Sequence, residues 1–586
     1  VIQYKYMILG FKSKSRTGYL AVSILSIFAI IIMRLFFLQV IEGADYRARA
    51  DKGQRKQFEI KSQRGLIYAM DGKKLTKMVL NETVYTLWID PQEIANSKKV
   101  KKSEIISEFR KVAGGNLKND FEKLFEKTDT RYQVVGTKLS LKQANAIREK
   151  KFHGIGFTAE ARRVYPEGNL GAQILGFVND NGGNYGIEQA MNKELTGTDG
   201  YKKITTDAFN QTIEVGSENI EKPAVNGKNI ALSIDRNIQA KVEKVLKAQM
   251  EAKKMKHGAV LVMDPKTGKM MAMANYPTYD PAAYAKVENG SVYNNNTTTM
   301  AYENGSVIKS FTMATGINEG VANANTRYYN TDSIKIEDIT INNAALGHTG
   351  SITLQTAMNY SLNTGMVTIG KLLGGGSLND TARNKIYDYF HNRFGFGRET
   401  GIEVLESKGS LVSPKDAEGN AVRYSNMIFG QGMATTMLQT ATAFSSLVNG
   451  GTLYKPSIVA GTVDEDGNLS KKSPEISREG VISKETSQQM KQVLEGVRKV
   501  GGAKDPAGYQ IGGKTGTSQT IVGGRYVDYQ TIGSYVGFGG GDQAEYVIMV
   551  AVWGENQNLQ GSKDAAPIFT EISNWLLNYL EVKPTN

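Results

Sequence analysis

A chain of 586 residues, 40% hydrophobic and 22% charged, is too long for one compact domain and apolar enough to bury several cores, which excludes a disordered or fibrous protein. It has no cysteine, and its four histidines (His153, His257, His348, His391) share no ligand spacing, so disulfides are impossible and neither a metal, a cofactor nor a Ser-His-Asp triad is expected. The net charge of +13 comes from Lys and Arg spread among acids, which points to anionic lipid or wall polymer as partner and away from nucleic acid.

In chain order, the first element is an apolar run from Gly18 to Leu38, broken only by Arg34. At roughly 1.5 Å per residue it spans about 31 Å as a helix, enough to cross a bilayer. Lys5, Lys12, Lys14 and Arg16 precede it without an acid, so residues 1–17 are predicted to stay in the cytoplasm and the rest of a single-pass protein to lie outside. Ala48-Arg49-Ala50 resembles a signal-peptide cleavage site but lies too far from the run, behind charged residues. Residues 42–225 alternate strand-like runs ("ETVYTLWID", "GIGFTAEARRVYP") with helical spacing in "GNLKNDFEKLFEKT" and "SLKQANAIREK", and carry no cluster of reactive groups. "EKPAVNGKN" (221–229) has linker composition.

From residue 226 to about 580 the texture changes. Asp235 is a candidate N-cap for a helix with Ile238, Val242, Val245, Leu246 and Met250 on one face. "GAVLVMDPKTGKMMAMANYP" is a hairpin around a D-P-K-T-G turn. Helices are predicted around Ser306, over Thr353–Leu373 and over Met437–Asn449. Strands follow at "QIGGKTGTSQ", "GSYVGFGG" and "EYVIMVAVW", with a last helix at "PIFTEISNWLLNYL". Strands at both ends with helices between predict an α+β fold, an antiparallel sheet closed by the two ends of the domain.

Within this region Ser306 and Lys309 form the only Ser with Lys three residues on, a spacing that stacks both on one helix face. A serine hydroxyl is a weak nucleophile until a base takes its proton, and a desolvated lysine can do so. S-x-x-K joins S-x-N and K-T-G in one signature set. K-T-G occurs at Lys266–Gly268, where a hairpin turn explains it, and at Lys514–Gly516, which opens a strand behind Gly512 and Gly513. S-x-N occurs at Ser217, Ser361 and Ser377; Ser361-Leu362-Asn363, between two apolar helical stretches, is preferred because a packed loop there can aim polar groups inward.

With these motifs in order the chain resembles a class B penicillin-binding protein, a monofunctional peptidoglycan D,D-transpeptidase of the septal or elongation type. "RLFFLQVIEGADY", "QRGLIYAMDGKKL", "NYGIEQAMNKELTGTDG" and "FGQGMATTMLQTATAFSSLVNGGTLYKP" resemble family stretches, so the likeness runs over nearly the full length. It departs at Asn304, where proline is common, at Leu362, where a small or polar residue is usual, and in "NNNTTTMAYENG". The resemblance implies an N-terminal anchor (18–38), a β-rich non-catalytic pedestal of the dimerisation type (42–225) and a transpeptidase domain (226–580). It implies that Ser306 attacks the penultimate D-alanine carbonyl of a stem peptide, Lys309 acts as base, and Ser361 relays a proton. Asn363 would hold the substrate amide, with Lys514, Thr515 and Thr517 facing the terminal carboxylate. Gly516 would let the substrate lie along the strand, and the N–H groups of Ser306 and Thr517 would form the oxyanion hole. The implied partners are stem peptides, β-lactams, membrane lipid and a membrane-embedded glycan polymerase of the shape-elongation-division-sporulation type. The alternative is a catalytically dead scaffold that positions such a polymerase.

Overall fold

The computed structural model describes residues 16–46, 55–97, 101–205, 220–523 and 525–585. The basic stretch before Arg16, Ala48–Ala50 and the S-x-N at Ser217–Asn219 lie outside them. Packing divides the chain into two compact units, residues 1–62 with 197–226, and 63–196 with 227–586. In the first, the apolar run is a helix, α1 (Arg16–Phe36), which ends in a π-turn at Phe37–Ile41. With that turn it is long and apolar enough to cross a membrane (mean hydropathy 2.5) and buries none of its side chains in protein. The same unit holds a three-stranded antiparallel sheet of β1 (Arg55–Ile60), β2 (Gly200–Thr205) and β3 (Ile220–Lys222).

The second unit contains two large sheets. One joins β4 (Ile67–Asp71), β5 (Lys74–Ile89), a strand at Gln133–Leu139 and one at Ile155–Val164 to β6 (Asn229–Asp235), which runs parallel to β4 and antiparallel to Val459–Val463. The predicted strands at 82–90 and 154–166 are both present and pair with each other. "SLKQANAIREK" forms a helix behind a capping box at Ser140, but "GNLKNDFEKLFEKT" forms only a 3₁₀ turn at Phe121–Glu126. There Asp120 takes a left-handed φ of 55°, which breaks the helical spacing while still burying Phe121 and Phe125. The 221–229 stretch is not a free linker. The N–H of Gly227 donates to the Gln63 carbonyl at 2.8 Å and that of Lys228 to Glu194 at 2.8 Å, and β6 begins at once.

The other sheet is antiparallel, in the order β8-β7-β11-β10-β9, for β7 (His257–Met263), β8 (Met270–Tyr276), β9 (Gln510–Val522), β10 (Arg525–Gly540) and β11 (Ala544–Trp553). The expected closure of first and last strands is the β7–β11 pairing. β11 is central and covered on both faces, which is why it reads as an unbroken apolar run. Its alternate residues serve different cores. Val547, Met549 and Ala551 pack with Phe311, Leu438 and Met490. Ile548, Val550 and Val552 pack under α2 (Arg236–Ala252) and the last helix, Ala566–Tyr579. Asp235 caps α2 as expected, accepting from the N–H groups of Asn237 and Ile238.

The compact units part between Asn226 and Gly227, next to the expected boundary near residue 225, but the first core draws on residues from both sides of it. Ile67, Val79, Ile187 and Leu195 are buried in the same cluster as Ile230, Leu232, Met270 and Met273. A fragment from Gly227 to Asn586 would strip β4 from β6 and expose these side chains, each costing about 1.5–3 kcal/mol if fully uncovered. Such a fragment is expected to aggregate or unfold at least 10 °C below a fragment from Gln63, as read by thermal unfolding. Equal stability of the two fragments would refute this account of the core.

Candidate active site

Ser306 sits in a 3₁₀ turn, Gly305–Ile308, and Lys309 opens the helix that follows, α3 (Lys309–Asn318). The expected α-helical start is thus tighter than predicted, but in a 3₁₀ turn positions i and i+3 eclipse, so Ser306 and Lys309 still share a side. The turn is wedged between two other backbones. The N–H of Gly305 donates to the Gly430 carbonyl at 3.2 Å, and a Cβ on Gly430 would lie 1.8 Å from the Gly305 oxygen. A Cβ on Gly305 itself (φ 55°) would lie 2.6 Å from the Thr517 oxygen, so the peptide units of the turn and of β9 touch.

Asn304, where the family resemblance expects proline, is buried. Its Nδ2 donates to the Thr435 hydroxyl and, at 3.2 Å, to the Thr435 carbonyl. The strand before the turn, Ala301–Tyr302, pairs antiparallel with Thr435–Thr436, so the amide clamps this pair where a proline would have stiffened it covalently. Tyr302 adds a 2.9 Å hydrogen bond between its hydroxyl and that of Ser534 on β10.

Ser361 lies between α4 (Leu354–Asn359) and α5 (Asn363–Leu373), so the helical region over Thr353–Leu373 is two helices with the expected packed loop between them. It holds a φ of 58°, a conformation uncommon for a residue with a side chain and concentrated at functional sites. The break is fixed from below: Leu362 is fully buried and donates its N–H to the Ala357 carbonyl at 2.8 Å. Two lysines meet at Ser361. Lys309 Nζ donates to its carbonyl and, at 3.2 Å, to its Oγ, while Lys514 Nζ donates to the same Oγ at 2.8 Å. Both lysines are 1% exposed, and no carboxylate among the described residues pairs with either.

Burial sets their chemistry. It drives the Lys309 ammonium well below the ordinary lysine range, and the charge of Lys514 pushes it further the same way. Lys514, also desolvated, is pushed down to about 7. Two desolvated ammonium groups on one hydroxyl disfavour each other, so the pair favours one neutral amine beside one cation.

The remaining candidates are placed as follows. β9 is an edge strand, with no further strand paired beyond it among the described residues and the helix Lys484–Val500 against its Gln510–Gly513 end. Thr515 is half-exposed and Thr517 exposed on it; the Thr517 hydroxyl accepts the Gly561 N–H at 3.2 Å. A Cβ at Gly516 would lie 2.4 Å from the Asn304 oxygen and 3.0 Å from Val307, so glycine is needed there to seat the nucleophile turn, a reason the motif alone does not disclose. Asn363 opens α5 and donates its Nδ2 to the Asn342 carbonyl at 2.8 Å.

Both decoys have structural uses. Lys266 pairs with Glu545 at the hairpin turn, and Asn379 of the Ser377 motif caps the helix Asp380–Tyr387. Sequence reading missed the helix Lys484–Val500, although Ser483 caps it and Met490, Val493, Leu494 and Val497 have helical spacing. Its backbone presses on Gly512, where a Cβ would lie 2.9 Å from the Glu495 nitrogen.

This fold and this arrangement of Ser, Lys, Ser and Lys define the class, and the comparisons agree. Residues 258–574 match the penicillin binding protein transpeptidase domain and residues 59–232 the penicillin-binding protein dimerisation domain. The chain belongs to the class B penicillin-binding protein transpeptidase family. It is 31% identical over 572 residues to stage V sporulation protein D of Bacillus subtilis, covering 95% of this chain and 84% of that one. It is 26% identical to the peptidoglycan D,D-transpeptidase FtsI of Escherichia coli, covering 96% and 91%. Penicillin binding protein 2X from Streptococcus thermophilus has a similar fold, with a TM-score of 0.72 at 21% identity over 90% of this chain and 80% of that one.

Proposed function

We propose that this protein cross-links peptidoglycan stem peptides through an acyl-enzyme on Ser306. The observation that carries the reading is the convergence of two desolvated lysines, Lys309 and Lys514, on the hydroxyl of Ser361. Neutral Lys309 takes the Ser306 proton as the hydroxyl attacks the penultimate D-alanine carbonyl. The tetrahedral oxyanion is held by the N–H groups of Ser306 and Thr517. Collapse breaks the peptide bond, and the proton passes through Ser361 to the departing D-alanine. An acceptor amine then attacks the ester by the reverse path, losing its proton to the same relay. Lys514, Thr515 and Thr517 hold the terminal carboxylate, Asn363 the substrate amide, and the donor lies along the open edge of β9 as an added strand. β-Lactams enter the same site and stop at the acyl-enzyme.

Residues 18–38 anchor the chain in the cytoplasmic membrane with residues 1–17 inside, and the pedestal (42–225) engages a membrane-embedded glycan polymerase of the shape-elongation-division-sporulation type. Tethering raises the local concentration of the site at newly made strands. The test is incubation of the purified chain with fluorescent penicillin and with a donor–acceptor peptide pair. Covalent label and cross-linked product are expected; label without product would leave only a penicillin-binding scaffold.

A further inference from the structure

Glu303, three residues before Ser306, is not used by this mechanism, and its surroundings are unusual. Its Oε1 accepts two hydrogen bonds, from the Gly432 N–H and the Tyr526 hydroxyl, both at 2.8 Å. Its Oε2 is buried and has no hydrogen-bond partner. No Lys or Arg among the described residues pairs with the carboxylate, and the neighbouring Arg423, packed beside Gly432, is engaged by Glu418. A carboxyl group oriented by two donors on one oxygen and left bare on the other lacks a partner of a definite kind, a cation that donates hydrogen bonds.

The fold places this group at one end of the donor strand. The Gln510–Gly513 end of β9 is covered by the helix Lys484–Val500, whereas the strand continues past Thr517 toward the β9–β10 hairpin. There the register slips. Gln519 faces Thr531, but Thr520 faces Val527, so β10 carries extra residues and the hairpin bends. The bend returns Tyr526 to Glu303. Burial and the Glu303 hydrogen bond push the Tyr526 phenol up to about 12, so it stays a donor at neutral pH. Tyr526 itself is 46% exposed, and Ile521, Val522 and Tyr529 of the same hairpin are exposed too, so the group that holds Oε1 stands at the surface.

We infer that Glu303 is a specificity-determining residue that takes a free primary ammonium group carried by the acyl donor upstream of its terminal D-alanyl-D-alanine, the hairpin yielding at Tyr526 to admit it. This rests on the transpeptidase reading. With the terminal carboxylate at Lys514 and Thr517, the rest of the donor runs toward the hairpin end, because the other end of β9 is covered. The favoured substrates are stem peptides whose diamino residue is still unacylated, and the carboxylate discriminates against those already capped.

The test compares ampicillin with benzylpenicillin, which differ by one amino group on the side chain, and Nα-acetyl-L-Lys-D-Ala-D-Ala with its Nε-acetylated form. Acylation rates are read for the full chain, for Glu303→Gln and for Tyr526→Phe. Glu303→Gln is expected to lower the ampicillin-to-benzylpenicillin rate ratio and the free-to-acetylated peptide ratio by about tenfold, the size of one charge-assisted hydrogen bond. Tyr526→Phe keeps the carboxylate and removes a competing donor, so both ratios should hold or rise. Unchanged ratios in Glu303→Gln would overturn the inference. So would an equal fall with all four reagents, which would make Glu303 only a brace for the nucleophile turn. Failure of the parent chain to react with benzylpenicillin at all would instead refute the transpeptidase reading.

Discussion

Ser306→Ala is expected to abolish covalent labelling by a fluorescent penicillin, a loss of at least about 10⁴ in acylation rate, with the fold unchanged. The turn that carries the serine is held by the Gly305–Gly430 hydrogen bond, the Asn304 clamp on Thr435 and the contact of Gly305 with Thr517. None of these uses the Ser306 hydroxyl, so the thermal midpoint should move by no more than a degree or two. Mass spectrometry of the parent should place the adduct on Ser306. Persistent labelling of the variant, mapped to Ser361 or Ser377, would show that another serine is the nucleophile.

The second large effect separates the two lysines. Lys309→Arg is expected to be inactive, because guanidinium does not give up its proton and cannot serve as base. Lys514→Arg should retain measurable acylation, because that position supplies a cation. Lys266→Ala, at the decoy K-T-G, should acylate at the parent rate. Its exposed pair with Glu545 is worth at most about 1 kcal/mol of stability.

The pH dependence follows from the same burial. With Lys309 as base, held well below the ordinary lysine range, acylation should rise on the acid side as it loses its proton, and fall as Lys514 loses its charge near 7. In Lys514→Arg the alkaline fall should disappear, since arginine stays charged. Linkage gives the sign for stability. The folded state lowers the Lys514 affinity for a proton from 10.5 to about 7, so the unfolded chain binds more protons between those values. This group therefore destabilises most below about pH 7, and the cost fades as pH rises toward 10.5. An acylation profile in Lys514→Arg identical to that of the parent would refute the assignment of the two roles.

Much of this was legible without coordinates. The apolar run, the Asp235 cap, the D-P-K-T-G hairpin and the late strands each depend on local chemistry or on a short period, and all form where expected. That Lys266 stands in a turn was legible for the same reason, since turn residues at a hairpin tip explain themselves. The choice of Ser361 over Ser377 rested on apolar flanks, which mark a packed loop.

Tertiary structure decided the rest. The left-handed φ of Ser361 goes with the burial of Leu362, whose N–H folds back on the Ala357 carbonyl, and the Ser361 hydroxyl is met by Lys514 from 153 residues on. That Gly516 must lack a side chain depends on the nucleophile turn arriving from about 210 residues upstream. Where the chain divides is likewise a matter of packing. A Pro- and Gly-punctuated stretch at 221–229 has the composition of a linker, yet the strand that follows it completes a sheet begun at Ile67. The residue types determined which chemistry was possible; the approach of segments distant in sequence, which no local propensity encodes, determined which two lysines are buried together at Ser361.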